Sequence, residues 1–108
     1  MNLAKFLYLT TTGRRSGARH AIEIWYVAHE DCFYIVSEKR EAAHWVRNIR
    51  ANPAVRFRIG CAWDDDDAAD TDGIASFPDD PALIAAVEAK MEAKYGWSNG
   101  LVVAIRCG

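Results

Sequence analysis

The stretch Thr10–Gly17, TTTGRRSG, ends an apolar run that starts near Lys5 and leads into a second run, His20–Ala28. Read as the turn between two strands, it sets a period of two for the chain on either side. Lys5–Thr12 places Phe6, Tyr8 and Thr10 on one face and Leu7, Leu9 and Thr11 on the other, so both faces are apolar and the strand belongs inside a barrel or between layers. HAIEIWYVA (20–28) puts His20, Ile22, Ile24 and Tyr26 on one side and Ala21, Glu23, Trp25 and Val27 on the other. The turn also carries its own chemistry. Gly13 and Gly17 permit sharp bends and close approach, Arg14 and Arg15 supply forks of donors, and Thr10–Thr12 and Ser16 add hydroxyls. That composition suits an anion cradle, although such a turn is more often an ordinary solvated hairpin.

Further along, His29, Glu30 and Asp31 form a polar turn and Cys32–Ser37, CFYIVS, a third strand, making residues 20–37 a hairpin packed on both faces. The period then changes. Ala42, Trp45, Val46 and Ile49 form one stripe of a helix from about Glu41 to Arg50, with His44, Arg47 and Asn48 on its other side. Asn52-Pro53 stops that helix, and Val55–Gly60 alternates as a strand with Arg56 and Arg58 outward. Cys61-Ala62-Trp63 prolongs it into an acidic run, Asp64–Asp72, which lacks the ligand spacing of a calcium loop and reads as a solvated hairpin loop. A strand over Gly73–Phe77 follows. Asp80-Pro81 then opens a helix Pro81–Tyr95 with the stripe Ile84, Val87, Met91 and Tyr95, and Gly96 ends it. The closing segment GLVVAIRCG is a sixth strand. The expected fold is mainly β with flanking helices, a six-stranded antiparallel barrel forming one domain over residues 1–108.

Composition narrows the function. With 51% hydrophobic and 26% charged residues the chain is globular rather than disordered, and a net charge of -2 gives no footprint for nucleic acid. No apolar run is long enough to span a bilayer and the N-terminus lacks a signal-peptide core, so a cytoplasmic protein without a transmembrane segment is expected. Cys32, Cys61 and Cys107 read as reduced thiols, and His20, His29 and His44 are too scattered for a metal site. No nucleophile stands with a base and an acid at telling spacing. Glu23 lies on an otherwise apolar strand, where a buried carboxylate needs a partner. His20, Arg14, Arg15 or Arg19 can supply it as a structural ion pair, and a ligand contact is the other reading. The residues suit a cofactor enzyme, in which the protein supplies position and electrostatics.

The order LTTTGRRSG (9–17), IEIWYV (22–27), a strand ending in Ser37 and HWVRNIRANPAVRFRIG (44–60) resembles the deazaflavin-dependent nitroreductase family. These are split β-barrel proteins related to the flavin-binding pyridoxamine-phosphate oxidases, and KYGWSNGLVVAI (94–105) is similar to one branch of them. The resemblance implies a split barrel and a reductase that takes a hydride from coenzyme F-420, an 8-hydroxy-5-deazaflavin, to a quinone, nitro compound or unsaturated ring. An FMN-binding oxidoreductase of the same fold and a non-catalytic flavin or deazaflavin binder are the alternatives. It further implies that Arg14, Arg15 and Ser16 hold the phosphate and acidic tail of the coenzyme. His20, Ala21, Ile22, Glu23, Ile24 and Trp25 then run along its ring, while Val36, Ser37, His44, Trp45, Arg47 and Asn48 close over it. Trp25, Tyr95 and Trp97 fall on the substrate side. A small-molecule electron acceptor and a homodimer are the expected partners. This chain departs from the nitroreductase pattern in having Glu23 where a proline stands and Glu38-Lys39-Arg40-Glu41 where a glycine-rich turn stands.

Overall fold

Alternating stretches and short apolar runs give six strands, and their pairing closes them into a ring. A computed structural model describes residues 5–60 and 70–107. The strands are β1 (Phe6–Thr12), β2 (Arg19–His29), β3 (Cys32–Ser37), β4 (Ala54–Gly60), β5 (Thr71–Ser76) and β6 (Leu101–Cys107), and they close as an antiparallel barrel in the order β1-β2-β3-β6-β5-β4. The expected prolongation of β4 through Cys61, Ala62 and Trp63, and the acidic run from Asp64, lie outside the described residues. The end of that run belongs to β5 instead. Asp72 pairs there with Arg56 and its carboxylate sits 3.3 Å from the guanidinium, an exposed ion pair that contributes little.

The barrel interior is filled by Leu7, Leu9, Tyr26, Ile35, Val55, Phe57, Ala75, Val103 and Ile105. Helix α1 (His44–Ala51) adds Ile49 to that core and packs against β1. Helix α2 (Pro81–Tyr95) lies on the outer face of β2, β3 and β6, burying Val87 and Met91 against Val27, Tyr34, Val36, Val102 and Ala104. Strands β3 and β6 are therefore buried on both faces, which is why CFYIVS and LVVAI read as nearly unbroken apolar runs. The ends of α2 follow from local chemistry. Asp80 accepts a hydrogen bond from the Ala82 amide at 3.0 Å, Pro81 opens the first turn, and Gly96 takes φ 74°. None of the helices among the described residues is long and apolar enough to cross a membrane.

Two expectations need correction. The segment read as one helix from Glu41 is a 3-10 turn, Arg40–Ala42, followed by α1, with Ala43 extended between them. Arg40 has φ 52°, and the Ser37 hydroxyl donates to its carbonyl at 3.0 Å, so the end of β3 ties the chain into a turn before α1 can start. The hairpin over residues 20–37 is packed on both faces only in its second half. Residues Arg19–Trp25 of β2 pair with β1, whereas Tyr26–His29 pair with β3, and Arg19, His20, Ala21 and Glu23 are exposed. The barrel is split at this exchange of partners.

Candidate functional site

Because β3 leaves β2 at Tyr26, the edge of β2 from His20 to Trp25 has no strand on its second side among the described residues. That edge forms one wall of a cavity of about 1350 Å³. The β1–β2 loop contributes Arg14, Arg15 and Ser16 at one end. Val36 and Ser37 from β3, His44, Trp45, Arg47 and Asn48 from α1, and Trp97 beyond α2 form the remaining walls. All fifteen residues that the resemblance assigned to the coenzyme are thus gathered around one space.

The loop is shaped by its glycines. The Gly13 amide donates to the Ala18 carbonyl at 2.6 Å and the Gly17 amide to the Gly13 carbonyl at 2.9 Å, while Gly17 adopts φ 73°. A Cβ on Gly13 would come within 2.9 Å of His20 Nε2, so only glycine lets the imidazole lie over the turn. Ser16 Oγ accepts from the Ala18 amide at 3.2 Å. Arg14 is half-buried and Arg15, Lys39 and Arg47 are exposed, so four cations line the cavity against two carboxylates, Glu23 and Glu38.

Asn48, on the side of α1 opposite the apolar stripe, is nevertheless buried, 4% exposed. Its Oδ1 accepts from the Arg14 amide at 3.3 Å and from Arg14 Nη1 at 2.9 Å, and its Nδ2 donates to Thr11 Oγ1 at 3.2 Å. Helix α1 lies close enough to β1 to bury a polar group, and the buried amide is met by loop and strand. Glu23 departs from expectation. It is exposed, and its partner is neither His20 nor an arginine but the Tyr8 hydroxyl, which donates to Oε2 at 2.9 Å across the registered pair Tyr8–Glu23. The Arg58 guanidinium lies 4.2 Å over the Tyr8 ring.

Tyr95 is not on the cavity wall. Its ring stacks behind Trp25 with centroids 4.5 Å apart and planes 6° apart, and Trp97 meets Trp25 edge-on at 6.3 Å. Its hydroxyl lies 2.7 Å from the Lys5 carbonyl and 2.8 Å from that of Tyr26, sharing one proton between them, and accepts from the Tyr26 amide at 3.1 Å. It bridges β1 and β2 where direct pairing between them stops. Burial raises the Tyr95 pKa to about 12, against an opposing contribution from the Tyr26 hydrogen bond.

A pH prediction follows from that shift. A folded-state pKa above the unfolded value near 10 means the folded chain keeps a proton that the unfolded chain has lost. The resulting stability is complete below pH 10 and disappears as pH rises toward 12. Tyr95→Phe keeps the stacking and removes the bridge, so its Tm should fall by roughly 5–10 °C at neutral pH. The gap to wild type should then narrow through this alkaline window. Lys94, whose pKa is lowered by burial, is common to both proteins and cancels from the comparison. Urea midpoints from pH 8 to 12 provide the measurement, and a constant gap would refute the assignment.

Residues that the motif left out also line the space: Phe6, Gly13, Glu38, Lys39, Ala42 and Ala43. Gly13 had a signal in the loop sequence. The others reach the wall through the split of the barrel and the bend at Arg40, which local periodicity does not encode.

The donor set suits a long, planar molecule with an anionic end. From His20 to Trp25 the open edge spans roughly 17 Å at strand rise, leading from arginines to tryptophans. Barrel and edge cavity together define a split-barrel protein with an open-edge pocket. Several solved structures share that fold. HutZ, the heme storage protein from Vibrio cholerae, superposes with a TM-score of 0.80 at 16% identity, covering 98% of this chain and 83% of that one. A putative pyridoxamine 5'-phosphate oxidase from Listeria innocua gives 0.69 at 20% identity, covering 94% and 80%. An F420 reductase gives 0.69 at 18% identity, covering 97% and 87%. No curated protein matches the sequence at a significant level. The family described as F420H(2)-dependent quinone reductase matches residues 1–95, and the chain belongs to it. It is a deazaflavin-dependent reductase, with coenzyme F-420 as its cofactor.

Proposed function

We propose that this chain reduces quinones with coenzyme F-420, and that nitro compounds and unsaturated rings are accepted where they fit the same wall. One observation carries the reading: a continuous cavity connects the cations of the β1–β2 loop, the open edge of β2 and the Trp25–Trp97 pair. Bound in its reduced form, the coenzyme supplies a hydride and a proton, which together convert a quinone into its hydroquinone. Arg14, Arg15 and Ser16 hold the anionic tail by charge-assisted hydrogen bonds. The edge from Ala21 to Ile24 supports the ring system, with Val36 and Trp45 covering it. Trp25 and Trp97 exclude water and orient a planar acceptor, and Tyr95 keeps Trp25 in place by stacking on it. A homodimer accords with the exposed first half of β2 and a cytoplasmic location with the free thiol of Cys32.

The test is a titration of purified protein with coenzyme F-420 and, separately, FMN, followed by tryptophan fluorescence, since Trp25, Trp45 and Trp97 line the cavity. Oxidation of the reduced deazaflavin is then assayed with quinones, nitroaromatics and cyclic enones. The expected result is saturable binding of the deazaflavin and fastest turnover with a quinone. Tight FMN binding with no deazaflavin oxidation by any quinone would sink the proposal.

A further inference from the structure

The geometry points to Asn48 as a positioning residue that presets Arg14 for the anionic part of the coenzyme, acting through the arginine rather than by touching the ligand. This rests on the placement of Arg14 at the coenzyme tail. Asn48 has one amide oxygen with two acceptor sites, and Arg14 takes both, through its main-chain N–H and through Nη1. These two donors identify the oxygen, and the Asn48 amide nitrogen is left to donate to Thr11 Oγ1. Thr11 is 1% exposed, so the clamp is itself held by a hydroxyl in the barrel wall.

The clamp has two consequences. It holds both the backbone and the guanidinium of Arg14, which limits the freedom of a long side chain before any ligand arrives. One N–H of the fork is used, and the others stay available to an anion on the cavity side. Among the described residues Arg14 has no carboxylate partner, so the clamp restrains the cation without neutralising it. No described side chain holds Arg15 in the same way, and it is exposed. Asn48 itself is nearly used up: a single N–H remains to reach any ligand.

The experiment measures the Kd of coenzyme F-420 and the melting temperature for Arg14→Ala, Asn48→Ala, the double variant and Thr11→Val. Arg14→Ala should weaken binding about thirtyfold and Asn48→Ala about tenfold, and the double variant should be no weaker than Arg14→Ala alone. Thr11→Val keeps the shape of the side chain and removes only the acceptor for Asn48. It should weaken binding about threefold, and it provides the reading if Asn48→Ala does not fold. In steady state the Asn48 effect should enter through KM for the coenzyme rather than kcat, a split that general loss of packing does not produce. Additive losses in the double variant would make Asn48 a direct contact and overturn the inference. An effective Arg14→Ala beside inert Asn48→Ala and Thr11→Val would overturn it alone. An Arg14→Ala that binds as wild type would overturn the placement of Arg14 and this inference with it.

Discussion

Replacing Arg14 and Arg15 together by alanine is expected to raise the Kd for coenzyme F-420 by about 100-fold or more while lowering the melting temperature by only a few degrees. Hydrogen bonds to charged groups contribute roughly 1.5–3 kcal/mol each, and two such contacts, discounted for the exposure of Arg15, give about 3 kcal/mol of binding. Stability should respond far less. Arg15 is exposed, and after loss of the Arg14 side chain the residue-14 amide still donates to Asn48, so the buried oxygen is not left without a donor. Fluorescence titration and thermal melts on the same preparations provide the comparison. Equal losses in binding and stability would make the arginines structural and remove the anion cradle from the loop.

A second large effect should come from a residue that touches no ligand. Gly100→Ala is expected to destabilise the chain by about 2–4 kcal/mol, a fall in Tm of roughly 10–25 °C for a domain of this size. A Cβ at Gly100 would collide with the Ser37 carbonyl and lie 2.7 Å from Val36 Cγ1, and the backbone in its way cannot rotate aside as a side chain would. Leu101 pairs with Ser37, so the collision pushes the start of β6 off the end of β3. Coenzyme binding should weaken as well, because Val36 and Ser37 form part of the cavity wall. Gly96→Ala provides the control. Gly96 has φ 74° and open space around it, so alanine there costs only about 1 kcal/mol of backbone strain. Similar losses at the two glycines would show that close packing at residue 100 is not the constraint.

Local rules carried most of the architecture. The boundaries of β3 and α2 follow directly from CFYIVS and from the Asp80-Pro81 and Gly96 signals, because a short apolar run bounded by polar turns and a capped helix are written in neighbouring residues. The cavity-lining set was legible for a different reason: the loop glycines and arginines and the WVRN segment form a recognisable order along the chain. The surroundings of Tyr95 and Glu23 and the partners of Asn48 were not legible. Tyr95 bonds to residues 69 and 90 positions away, and Asn48 to residues 34 and 37 positions away. Period two assigns Glu23 to a face, but whether another layer covers that face depends on where α2 comes to rest.

The sequence by itself determined that TTTGRRSG joins two strands, that the apolar patterning around it gives six strands and two helices, and that arginines and hydroxyls crowd one loop. The tertiary structure decided that β2 exchanges β1 for β3 at Tyr26, that this exchange leaves an edge open along the cavity, and that Asn48 turns inward to hold Arg14. The physical reason is that a side-chain period specifies which face of a strand is apolar, whereas the neighbour along each edge is chosen by hydrogen bonds and packing between segments distant in the chain.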